Sequence, residues 1–151
     1  MPNDKTAPKK TVAKKTTAQM SRPKPKGGGR TQIRQVPKPW GHETIWAVTE
    51  RYVGKILHIK AGHELSVQYH NKKDETAYLL SGEIVYRVGK DGGETLEDVH
   101  LKMGESFRIT PGTIHQMKAV TDCDVLEVST PELDDVVRLS DKYGREGTSA
   151  P

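Results

Sequence analysis

The stretch Gly62-His63-Glu64-Leu65-Ser66-Val67-Gln68-Tyr69-His70-Asn71-Lys72-Lys73-Asp74-Glu75-Thr76-Ala77-Tyr78-Leu79-Leu80-Ser81-Gly82 decides how this chain is read. Successive side chains of a strand alternate between faces, so Ser66, Gln68 and His70 share one face and Val67 and Tyr69 the other. A polar turn over Asn71 to Asp74 leads into a second strand-like run with Glu75, Ala77 and Leu79 on a common side. A returning strand brings the Glu75 carboxylate towards the face that carries Gln68 and His70. A fourth ligand-capable group lies downstream in Gly104-Glu105-Ser106-Phe107-Arg108-Ile109-Thr110-Pro111-Gly112-Thr113-Ile114-His115, where a short apolar run meets a Pro-Gly turn and then a histidine.

Together the two stretches resemble the paired motifs of the cupin superfamily, with Gly62, His70, Glu75, Gly82, Gly104, Gly112 and His115 at matching positions. Two departures stand out: Gln68 replaces the first histidine of His-x-His, and Pro111 is adjacent to Gly112 instead of one residue earlier. A Gln-x-His followed by four residues and Glu is similar to the cupin domain of type II phosphomannose isomerases. The opening Pro39-Trp40-Gly41 and the closing Asp134-Asp135-Val136-Val137-Arg138 and Asp141-Lys142-Tyr143-Gly144-Arg145 resemble the same family. The resemblance runs over residues 38 to 146. It implies a metal-dependent aldose-ketose isomerase, converting mannose 6-phosphate to fructose 6-phosphate for nucleotide-sugar or polysaccharide synthesis. Type II enzymes also commonly carry a nucleotidyltransferase domain with a Gly-rich phosphate loop, and nothing in this sequence resembles it. Gly27-Gly28-Gly29-Arg30 has no preceding strand to make it one.

The composition is divided. Residues 1–35 hold seven Lys and three Arg against the single acid Asp4, a net charge of +9, whereas residues 36–151 carry a net −5. With no aromatic residue and few large apolar ones, the first segment cannot bury enough surface to offset its ordering entropy, and the expectation is a disordered basic tail. Such a tail serves either as a non-specific contact to a polyanion or as a solubilising extension. The expected domain spans 36–146, with 147–151 fraying. The single cysteine, Cys123, fits a reducing compartment, and its acidic neighbours argue against a reactive thiol. No apolar run is long enough for a transmembrane helix and no secretory signal is evident, so a cytoplasmic protein is expected.

From Val36 onward short strand-like runs alternate with turn signals: 44–48, 52–59, 65–70, 75–80, 83–88, 95–99, 105–109, 114–120 and 125–129. Nine short strands with almost no helical periodicity predict an all-β single domain, a sandwich or barrel; cupins are jelly-roll barrels, so pattern and resemblance agree. After Pro131 the chain is expected to pack over the barrel or across a homodimer, since a barrel of short strands has edges to cover.

Gln68, His70, Glu75 and His115 offer an amide oxygen, a carboxylate and two imidazoles, a set suited to one divalent Zn, Fe, Mn, Co or Ni ion acting as a Lewis acid. The alternative is that they hydrogen-bond inside a metal-free barrel. Aldose-ketose isomerisation also needs a base, for which His63, Glu64, Lys60 and Glu83 are candidates, and cations for a phosphate, for which Arg138, Lys142 and Arg145 are candidates with Arg108 and Lys55 behind them. Singly, each of these cations is equally readable as a surface charge paired with Asp134, Asp135 or Asp141. Trp40 reads as a plug at one end of the barrel, and Tyr69 and Tyr78 as core or interface. Competing functional readings are a non-catalytic sugar- or carboxylate-binding cupin acting as sensor or regulator, an isomerase for another sugar, and a dioxygenase, against which the Gln68 ligand argues.

Overall fold

A computed structural model describes residues 27–90 and 95–148; residues 1–26 of the tail expected over 1–35 lie outside them, while Arg34 and Gln35 are strand rather than disordered. Twelve strands follow one another: β1 (Arg34–Lys38), β2 (Gly41–Val48), β3 (Val53–Ile59), β4 (Val67–Tyr69), β5 (Glu75–Ser81), β6 (Ile84–Lys90), β7 (Thr95–Leu101), β8 (Ser106–Ile109), β9 (His115–Ala119), β10 (Cys123–Ser129), β11 (Val137–Ser140) and β12 (Gly147–Thr148). They form two six-stranded antiparallel sheets, ordered β1-β2-β3-β10-β5-β8 and β12-β11-β4-β9-β6-β7. No helix occurs among the described residues.

All nine expected strands are present, with bounds shifted by a few residues, and three more join them. β1 begins at Arg34, ahead of the expected domain start at Val36, because Arg34 to Lys38 pair along β2 from Ile45 to Gly41. The closing motif packs against the barrel as strand: β11 pairs with β4, and β12, within the stretch expected to fray, pairs with β11. These segments lack the alternating apolar pattern that marks a strand. Their pairing is set by the neighbouring edge rather than by their own composition.

Alternation sorts the strands into an apolar and a polar half of one interior. Trp40, Leu57, Ile59, Leu79, Ile84, Leu101, Met117, Ala119, Cys123 and Val125 form the apolar core with Tyr86. Trp40 is buried as the expected plug, and the Cys123 thiol is pushed up to about 11 by burial and by Asp124. The remaining inward positions near the other end carry Lys55, Glu75, His115 and Glu127, all buried. Buried charges are tolerated only when paired, so this half of the interior is where function is expected to reside.

Gly82 closes the β5–β6 turn with φ +84°, and a Cβ there would lie 2.3 Å from the Asp122 carbonyl oxygen. An L-residue in this left-handed conformation costs about 1–2 kcal/mol before the clash is counted. Gly82→Ala is therefore expected to lower the unfolding free energy by at least that amount, read as a lower urea midpoint at unchanged m-value in unfolding followed by circular dichroism.

Candidate metal centre

Three of the four sequence-predicted ligands converge. His70, at the end of β4, Glu75, the first residue of β5, and His115, the first residue of β9, place their ligand atoms within 4.8 Å of one another, and all three are buried. His70 Nε2 lies 3.4 Å from Glu75 Oε2 and His115 Nε2 3.3 Å from Glu75 Oε1. Each imidazole is oriented from behind: His70 Nδ1 donates to the Asp135 carbonyl, and His115 Nδ1 donates to the Thr113 carbonyl at 2.9 Å. A carbonyl can only accept, so each ring carries a proton on Nδ1 and turns its Nε2 inward. Neither Nε2 has a hydrogen-bond partner. Two inward Nε2 atoms facing one carboxylate, each ring fixed by an outer hydrogen bond, is the arrangement of a metal site. The donors fit a divalent ion of intermediate hardness and do not select one.

Gln68, the fourth expected ligand, sits directly across from His115 in the β4–β9 register, and its Oε1 accepts a 2.7 Å hydrogen bond from Ser66 Oγ. On its other side Gln68 pairs with Arg138 of β11. His115, Gln68 and Arg138 thus occupy consecutive strands in one row of the sheet.

Around the cluster runs a chain of alternating charges that no sequence motif announced. The Lys73 ammonium lies 2.5 Å from Glu75 Oε2 and 2.9 Å from Glu127 Oε1. Glu127 faces Lys55 at 3.8 Å, Lys55 faces Glu43 at 3.7 Å, and Glu43 faces Lys38 at 3.8 Å. Burial works against ionisation of Glu75, but the Lys73 ammonium and then the two imidazoles hold its carboxyl well below the usual carboxylate range. Burial likewise opposes the charge on Lys73, yet Glu127 and Glu75 together raise its pKa. Burial, followed by the Glu75 and Glu127 charges, pushes the Tyr86 hydroxyl well up, so it remains a neutral phenol.

Gln68, Lys73 and Glu127 line a small inner pocket of about 50 Å³ together with Lys38, Trp40, Glu43, Lys55, Arg138 and Arg145. It adjoins a cavity of about 510 Å³ between β1–β2 and the closing motif, walled by Arg34, Lys38, Lys55 and Arg138 and by apolar Val36, Ile45, Leu133 and Val136. Of the expected phosphate-binding cations, Arg138 and Arg145 line the inner pocket. Arg145 holds Asp141 through two bonds of 2.9 and 2.7 Å, whereas Arg138 Nε is buried without a hydrogen-bond partner. Burial and then the nearby Arg145 lower the Arg138 pKa.

Several candidates fall elsewhere. Lys142 is exposed and lines neither space, and Arg108 pairs with Asp74 across an outer surface. None of the candidate bases lines the pocket. Glu64 pairs with Lys118, His63 stacks over Tyr143, and Lys60 and Glu83 are exposed at turns. Their nearness to the motif in sequence does not survive folding, because turns carry them away from the inward rows. Two carboxylates do line the pocket, Glu43 and, more deeply buried, Glu127. The signal of Glu127 was a charged residue at an inward position between Val125 and Ser129, as Lys55 is between Val53 and Leu57.

Residues 55–129 match the model of the cupin domain. The chain carries a cupin domain. Among curated proteins, this cupin is similar to mannose-1-phosphate guanylyltransferase of Escherichia coli K12, 35% identical over 117 residues, covering 74% of this chain and 23% of that protein. It also resembles the xanthan biosynthesis protein XanB of Xanthomonas campestris, 29% identical over 128 residues, with 80% and 26% covered. The chain thus spans about a quarter of the length of these relatives. Among solved structures, the capsular polysaccharide assembling protein CapF of Staphylococcus aureus superposes with a TM-score of 0.61 at 18% identity, over 73% of this chain and 35% of that one. KdgF from Halomonas superposes with 0.57 at 21% identity, over 70% and 92%. At such identities the structural likeness speaks for the fold alone. No helix among the described residues is long and apolar enough to cross a membrane.

Asp135 holds the loop that positions His70. Its carboxylate accepts from the backbone N–H groups of Asn71, Lys72 and Lys73, and its carbonyl accepts a hydrogen bond from His70 Nδ1. Burial opposes ionisation, but these backbone donors and the Asn71 amide depress the carboxyl pKa strongly. A depressed acid stabilises the fold above its unfolded value of about 3.9 and loses that contribution as pH falls through the lower native value. Asp135→Asn is expected to cost about 1–3 kcal/mol near neutrality. The gap between wild type and variant should narrow on acidification below about pH 4, in denaturant titrations run across pH.

Proposed function

We propose that this cupin is a metal-dependent aldose-ketose isomerase acting on a phosphorylated sugar, with mannose 6-phosphate the first substrate to test. The observation that carries the reading is the row His115, Gln68, Arg138. Adjacent strands lie about 4.8 Å apart, so an uncommitted guanidinium stands roughly 10 Å along the sheet from the inward imidazoles. An open-chain hexose phosphate has a comparable length between its carbonyl end and its phosphate.

In this reading His70, Glu75 and His115, with Gln68 beside them, would hold a divalent ion, which would supply Lewis-acid polarisation of the sugar carbonyl. Arg138 binds the phosphate, supported by Arg145 and Lys38. Glu127 is the group placed to move the proton between the two carbons: it lines the same pocket, between the Lys55 and Lys73 ammonium groups. Trp40 and Leu57 supply an apolar wall that would exclude water from the reacting carbons. The names of the relatives, mannose-1-phosphate guanylyltransferase and a xanthan biosynthesis protein, support a sugar-phosphate substrate.

The test is metal analysis of protein purified without a chelating tag, followed by turnover of mannose 6-phosphate on the same sample. About one equivalent of metal is expected, lost in Glu75→Ala and His115→Ala together with turnover. Glu127→Gln assayed at saturating metal is expected to lower kcat by at least ~100-fold, and Arg138→Ala to raise KM chiefly. Metal without turnover of any hexose phosphate would instead favour a sugar- or carboxylate-binding cupin.

A further inference from the structure

Lys73 is buried with 3% exposure, and its ammonium stands between the inner pocket, which it lines, and the three-residue cluster behind it. It occupies Oε2 of Glu75, the carboxylate to which both imidazoles turn. Two anions share it, since Glu127 Oε1 lies on its other side. Removing a cation from between Glu75 and Glu127 leaves two carboxylates facing each other in a water-excluded interior, which is unfavourable unless another cation arrives. A divalent ion at the cluster is such a cation, and it has to share Glu75 with the ammonium.

We infer that Lys73 is a built-in competitor for the metal: its ammonium fills the electrostatic role of a cation at Glu75, and thereby sets how tightly a divalent ion binds. The inference rests on the metal-binding part of the reading above and not on turnover. Like charges a few ångströms apart repel strongly at the effective dielectric of a protein interior, so deleting the ammonium favours the ion. Glu75 Oε1, which faces His115 and not Lys73, is the oxygen left to the metal while Lys73 stays in place.

Co²⁺ titration, followed by visible absorption and by competition against a chelator of known affinity, tests this in wild type, Lys73→Met, Lys73→Gln and Lys73→Arg. Deletion of the charge is expected to tighten Co²⁺ binding by at least tenfold in both neutral variants, while Lys73→Arg, which keeps the charge, stays near wild type. Thermal melts should show the neutral variants destabilised without metal and restored by Co²⁺, with a metal-induced shift larger than that of wild type. If Lys73→Met purifies only with metal bound, withdrawal of the ion by the chelator reads the same affinity. Unchanged or weaker Co²⁺ binding in the neutral variants would overturn the inference, as would an equal shift in Lys73→Arg, and so would failure of every variant to bind Co²⁺. Absence of sugar-phosphate turnover, in contrast, would sink the isomerase reading and leave the order of affinities intact.

Discussion

A carboxylate with 3% exposure, fixed between the Nε2 atoms of two buried imidazoles, is the constraint on which the polar half of this barrel depends. Alone, Glu75 would be intolerable there. The Lys73 ammonium answers its charge and brings in Glu127, which brings in Lys55, Glu43 and finally Lys38 at the rim. Each member is buried acceptably only because its neighbours are present. The result is a polar interior of fixed charges, rigid in the sense that no single group can move without exposing the next. Preorganised charge of this kind is what a site needs to act on a polar substrate without reorganising during the reaction.

The apolar half does the complementary work. Leu57, Ile59, Leu79, Ile109 and Val125 are essentially without exposure, so the strands that carry Lys55, Glu75 and Glu127 are fixed along their lengths by residues two and four positions away. β3, β5 and β10 are neighbours in one sheet, while His115 and Gln68 come from the other. The site is built across the sandwich, and its geometry depends on the distance between the sheets as much as on register within either.

Much of this was legible in the sequence. Period-two alternation located the nine principal strands, and the Gly62–Gly82 and Gly104–His115 stretches named the cluster, because ligands on strands obey a spacing that survives in one dimension. Three kinds of feature were not legible. The edge strands β1, β11 and β12 have no burial pattern of their own and exist through their partners. Lys73 lies in a polar turn that reads as solvent-exposed, yet the turn is drawn inward by Asp135, which is 62 residues away in sequence. Glu127 and Lys55 alternate correctly with apolar neighbours, but a charge at an inward position becomes meaningful only when its counter-charge is known. Conversely, His63, Glu64, Lys60 and Glu83 were near the motif in sequence alone.

The pairing of β1 with β2 has a kinetic consequence. Arg34, Val36 and Lys38 of β1 form part of the wall of the large cavity, so the chain enters the fold at the mouth of the site. Arg34, Lys38, Lys55 and Arg138, set against Glu43 and Asp134, therefore gather positive charge at the opening of a domain whose residues 36–151 carry a net −5. Positive potential concentrated at one opening of a negative body draws anions to that opening and away from the rest of the surface. An anion reaching this cavity would be steered by the charges of its own wall, and added salt would slow that approach more than it weakens contacts made inside.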